Sequence, residues 1–198
     1  MIAIPAGREA IVNSQTLIIV ASIVVAVVIV AIAWTYSHRQ RRERLRERFG
    51  PEYDRAVHEA GAPAKAEAIL EDRARRVERL KIRTLSREQA DSFTREWRQI
   101  QAQFVDDPNG AVAAADRLVA QVMAARGYPL DDFETRAADL SVDHPRVVEN
   151  YRTARAIALR RERGEAETEE LRQAVVNYRA LFEDLLEVDA RNVKRRAS

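Results

Sequence analysis

LIIVASIVVAVVIVAIAW, residues Leu17–Trp34, is the stretch on which the architecture of this chain turns. Across its 18 residues only Ser22 is not apolar. Taken with Thr16, Thr35 and Tyr36, the segment 16–36 would measure roughly 31 Å as an α-helix, against a hydrocarbon layer of roughly 30 Å. Trp34 and Tyr36 stand where interfacial aromatic rings are expected. Immediately beyond come Arg39, Arg41, Arg42, Arg44, Arg46 and Arg48, opposed only by Glu43 and Glu47. The other flank offers the α-amine and Arg8, the latter cancelled by Glu9. The positive-inside rule therefore predicts residues 1–15 outside, a transmembrane helix over 16–36, and the remainder in the cytoplasm. The six arginines have a second role open to them, as a site for anionic lipid head groups, at about 1 kcal/mol for each basic residue near the surface.

A cleaved signal peptide is the competing reading, because Ala31-Ile32-Ala33 fits a small-x-small cleavage pattern and removal of 1–33 would release a secreted helical protein. Three features favour the anchor. The leading residues carry little net positive charge, the apolar run is longer than a signal peptide needs, and arginines would crowd the new N-terminus. Ser22 and Ala26 have the small-xxx-small spacing that lets membrane helices approach, but in a segment rich in alanine that spacing arises by chance.

Composition points the rest of the chain toward helix. Of 198 residues, 32% are charged, with only six glycines and six prolines, and most of the β-branched residues fall in the apolar run. Cysteine is absent, which excludes disulfides, thiolate metal sites and cysteine nucleophiles. The net charge of +2 is unevenly spread: residues 37–85 hold 14 basic and 9 acidic side chains, 86–188 hold 14 and 20, and 189–198 return to +3. A basic stretch beside an apolar helix, followed by an acidic domain, suits a membrane surface better than nucleic acid.

Helix signals divide the polar part. The arginine-rich stretch continues the membrane helix until Gly50-Pro51, a short helix follows over Glu52–Ala60, and Gly61-Ala62-Pro63 breaks the chain again. Ala64–Ile82 reads as a helix with a thin apolar edge at Ala66, Leu70, Val77 and Leu80, interrupted by Arg73, so 37–85 is expected to be a basic juxtamembrane helical stalk. From Ser86 the signals sharpen. Ser86 with Gln89 forms a capping box for a helix carrying Phe93, Trp97, Ile100 and Phe104. Asp107-Pro108 opens the next, which presents Val112, Ala115, Leu118, Val119, Val122 and Met123 and stops at Gly127. A short helix over Asp132–Asp139 precedes one capped by Asp143 and opened by Pro145, with Val148, Tyr151, Ala154 and Ala158 inward and an end near Gly164. Thr168 starts the last helix, whose broad apolar face includes Leu171, Tyr178, Leu181, Phe182 and Leu185. The fold class expected is all-α: one transmembrane helix, a helical stalk, and an acidic antiparallel four-helix-type bundle over 86–188, then a basic tail over 189–198. Pairing the last two helices about Gly164–Glu165 places Tyr151 and Tyr178 within side-chain reach.

The segments FGPEYDRAV from Phe49, FVDDPNGAVAAADRLVAQVMAARGYP from Phe104, LSVDHPRVVENYRTA from Leu140 and TEELRQAVVNYRALFEDLL from Thr168 resemble an uncharacterised family of bacterial single-pass membrane proteins. The resemblance covers the anchor and most of the chain beyond Phe49. It implies an architecture and a bacterial inner-membrane setting, and it carries over no catalytic or binding residue.

Residue chemistry offers little else. His38, His58 and His144 lie in no metal-ligand spacing, and the sequence suggests neither metal nor cofactor. His144, between Asp143 and Pro145, is expected at a helix start; Asp106-Asp107 and the group Asp131, Asp132, Glu134 read as helix-start carboxylates. No phosphate loop, nucleophile elbow or kinase signature occurs. Phe93, Trp97, Phe104, Tyr151, Tyr178 and Phe182 recur at core spacings. The reading is a membrane-tethered helical protein, not an enzyme, that binds a protein partner or its own copy. An enzyme with a site of ordinary polar residues in the bundle is the alternative, and nucleic-acid binding through stalk and tail the weakest.

Overall fold

The computed structural model describes the backbone of residues 7–196 and the side chains of residue 17, of 19–37 and of 39–186. Among these residues the chain forms helices and no strand. They are α1 (Gly7–Phe49), α2 (Pro51–Ala60), α3 (Pro63–Arg79), α4 (Arg87–Asp106), α5 (Pro108–Arg126), α6 (Phe133–Asp143), α7 (Val148–Glu162) and α8 (Thr168–Arg196). Two compact units divide at Arg44/Leu45. Side chains expected in the basic tail over 189–198, and that of His38, lie outside the described residues, as does the N-terminal flank apart from its helical backbone from Gly7.

In the first unit, α1 carries the apolar run without a break, and the described side chains from Leu17 to Trp34 are all solvent-facing. A window of mean hydropathy 2.6 with none of its residues buried marks a helix apolar and long enough to cross a membrane.

The second unit opens with the last turn of α1. Gly50, with φ 50°, breaks the helix where no Cβ is tolerated cheaply, and Pro51 starts α2 at the position where its missing N–H costs nothing. Ser86 and Gln89 make the expected reciprocal cap, Ser86 Oγ accepting from Gln89 N–H at 3.2 Å and Gln89 Oε1 from Ser86 N–H at 3.0 Å. Asp107 alone joins α4 to α5: its N–H closes α4 on Gln103 O at 2.8 Å, and its carboxylate caps α5 through Gly110 N–H at 2.8 Å. Such a short joint folds the two helices back on one another, and the link over 163–167 does the same for α7 and α8. α5 packs against α4, α7 and α8, and for that reason its buried residues wrap more than one stripe. Trp97 stacks on Phe182 at 4.9 Å, and Tyr151 meets Tyr178 edge-on at 6.3 Å, as the antiparallel pairing requires. Phe93 and Phe104 are only partly buried against the same core.

Two expectations are corrected. Asp143 does not cap a following helix. Leu140 and Val142 are buried, which holds α6 in helix through Asp143; His144 then closes α6 on Leu140 O at 2.7 Å, Pro145 lies in the turn, and α7 begins at Val148. Nor does 37–85 stand apart as a stalk. From Leu45 it belongs to the same unit as the bundle, because α2 and α3 pair with each other and α3 lies on α6. The apolar edge Ala66, Leu70, Val77 is buried against Phe49, Tyr53 and Ala56 of the same chain, which leaves that edge no role in a coiled coil.

Candidate functional site

Charged side chains gather where α2 and α3 meet α6 and α7. Glu52, in the first turn of α2 and 3% exposed, takes a two-pronged contact from Arg152 of α7, with Arg152 Nη2 donating to Oε2 at 3.1 Å and Nη1 bonded to Oε1. Arg73 of α3 reaches the same carboxylate at 3.6 Å. One turn along, Arg76 donates to Asp139 of α6, its Nε lying 2.7 Å from Oδ1 and its Nη2 on the same oxygen. Tyr53 O–H donates to buried Glu67 at 3.0 Å. Burial pulls Arg73 below its ordinary pKa against the opposing pull of Glu52, and pushes Asp139 up against that of Arg76.

Two shallow clefts of about 510 Å³ each open from this seam, and Glu134 of α6 lines both. The first lies over α3 and α6, with Ile69, Arg73, Arg76 and Thr135 in its wall. Arg55, Phe133, Arg152, Arg155 and Leu159 line the second. Arg155 holds its guanidinium 6.0 Å over the Phe133 ring and reaches Asp116 at 3.5 Å. Ile69 and Leu159 are 43% and 40% exposed, so each cleft sets a solvent-facing aliphatic side chain beside guanidinium groups.

A second polar group lies at the far end of α6. His144 is buried with Nδ1 on Asp184, and Tyr128 O–H donates to Asp143 at 3.2 Å. Tyr128 also packs edge-on to the His144 ring at 6.3 Å. His144 thus ends a helix and ties it to α8, where the sequence suggested a helix start. His58 is exposed on α2. Asp107 and Asp132 cap helices as expected, Asp132 accepting from Thr135 N–H at 3.0 Å.

The six arginines after the apolar run are all exposed on α1 but do not form one group. Arg39, Arg41, Arg42 and Arg44 belong to the first unit; Arg46 and Arg48 belong to the second. There Arg46 lies 5.1 Å over the Tyr53 ring and 3.5 Å from Asp54, and Arg48 pairs with Glu78 at 3.5 Å. None of Glu52, Arg76, Asp139 or Arg152 stands out in the sequence, and Arg73 shows there only as a flaw in an apolar edge. The usable signal was the break in that edge: a charge at a core position needs an opposite charge facing it.

No family model, no curated protein and no solved structure matches the chain.

Proposed function

We propose that this is a membrane-anchored interaction protein: α1 crosses the inner membrane of a bacterial cell, and the second unit, in the cytoplasm, binds a protein partner or another copy of itself. The observation that carries the anchor is the complete solvent exposure of Leu17–Trp34 along an unbroken helix. A contiguous apolar surface of that size is stable in hydrocarbon or against a partner, not in water. Arg39, Arg41, Arg42 and Arg44 support the cytoplasmic orientation, and the resemblance to bacterial single-pass proteins supports the setting. The clefts support the binding role, since a guanidinium beside an exposed aliphatic group is the composition of an interface.

Intact mass of the membrane-extracted chain, with protease applied from outside intact cells, tests the anchor. An unshortened chain with a protected second unit is expected, and a new N-terminus near Trp34 overturns it. Photo-crosslinking groups placed at Ile69, Leu159 and, as control, exposed Gln101 of α4 test the binding role in native membranes. A discrete adduct from the cleft positions but not from Gln101 is expected; none from either cleft defeats the reading.

A further inference from the structure

The second unit holds two apolar clusters, not one. The larger joins α4, α5, α7 and α8. The smaller is built from the last turn of α1, from α2 and from α3, and among its buried members only Val142 comes from the bundle side. Leu80, at the end of α3, packs against both. Between the clusters lie the ion pairs Glu52–Arg152, Glu52–Arg73 and Asp139–Arg76. The faces that join the two halves are therefore largely charged.

From this arrangement we propose that the α2–α3 hairpin is a releasable cover over the α6–α7 seam. Paired charges pay a desolvation cost on docking that offsets most of their mutual attraction, so a charged seam holds less firmly than an apolar one of equal size. On opening, the hairpin keeps its own apolar cluster and the bundle keeps its core, while Glu52, Asp139 and the three arginines regain water. Polar interfaces inside a chain are where relative motion is expected. The hinge falls at Leu80–Ile82, because the next residue is fixed: Arg83 N–H donates to Arg126 O at 2.8 Å and Arg83 Nε to Ala125 O at 2.9 Å. Leu45 and Phe49 of α1 belong to the hairpin's cluster, so the chain leaving the apolar run enters the cover before it reaches the bundle.

Hydrogen exchange on the full-length protein in detergent micelles, followed by mass spectrometry, tests the device. In the wild type, amides of α2 and α3 are expected to share one opening constant, larger than that of α5 by about tenfold or more. Glu52→Gln leaves Arg152 and Arg73 facing an uncharged group in the docked state, and is expected to raise the hairpin's constant about tenfold further with α5 unchanged. Arg76→Lys, which gives up the paired contact to Asp139, should raise it by a smaller factor. Equal opening constants for the hairpin and α5 in the wild type overturn the proposal, as does acceleration of α5 by Glu52→Gln to the same degree. If Glu52→Gln does not accumulate, the wild-type comparison decides.

Discussion

Trp97 shows how one side chain fixes the core. It is 4% exposed and stacked on Phe182, which ties α4 to α8, yet its indole N–H finds no partner among the described residues. Trp97→Ala should cost about 3–5 kcal/mol by opening a cavity, whereas Trp97→Phe retains a ring and removes an unpaired donor, and should cost about 1–2 kcal/mol. Denaturant titration of the full chain in detergent, read by circular dichroism, separates the two. Gly127 makes a different point. Its φ is 97°, and an added Cβ would sit 2.7 Å from the Lys81 carbonyl oxygen; at Gly61, φ 71°, the same atom meets nothing within 4 Å. Both alanine variants carry the left-handed strain of about 1–2 kcal/mol, so Gly127→Ala should be the more damaging. The excess measures how closely the α3–α4 connector lies against α5, and equal losses would show that the connector yields freely.

At the level of elements, legibility followed the end signals. Ser86, Asp107-Pro108, Asp132 and Gly127 each mark a boundary that the structure keeps, because a cap is a local interaction visible in a few consecutive residues. Asp143-His144-Pro145 has the same appearance and misleads. There the burial of Leu140 and Val142 against other elements extends α6, a tertiary effect that no local pattern records. The hairpin of α2 and α3 was misread for a related reason: its apolar edge is thin, and its attachment runs through charges that resemble a solvated face. Asp107 closes one helix and opens the next, so Asp107→Ala should lower stability by about 1–2 kcal/mol and Asp107→Asn by much less. Thermal melts followed by circular dichroism would show it; a shift no larger than that of Asp106→Ala, a neighbour outside the cap, would argue against the double role.

Over the whole molecule the all-α architecture and the exposed apolar helix were legible, because periodicity and composition report them directly. The unit boundary was not, since it depends on which charges find each other across the seam. The three buried tyrosines Tyr128, Tyr151 and Tyr178 make a further property collective. Burial, as the leading cause, raises all three above the ordinary value of 10.0, Tyr151 to about 12. Their stabilising contribution is full below the unfolded pKa and is lost as pH rises from it toward the folded values, because only the unfolded chain can ionise there. Stability should therefore fall above pH 10 by up to about 1.4 kcal/mol per pH unit for each of them. Alkaline unfolding followed at 295 nm should show tyrosinate appearing together with loss of helix, and early titration of all three in the folded protein would contradict their burial.

The single-residue joint at Asp107 also bears on how such a chain can change length over evolution. One residue added there would turn α5 by about 100°, carrying Val112, Leu118 and Val122 off the core side together and breaking the shared cap. The links at 61–62 and 163–167 impose no such phase: Gly61 and Gly164 have open space beside them. Insertions and deletions among descendants of this sequence should collect at those two links and at the chain ends, and the spacing from Trp97 to Leu118 should stay fixed even where the residues between them drift.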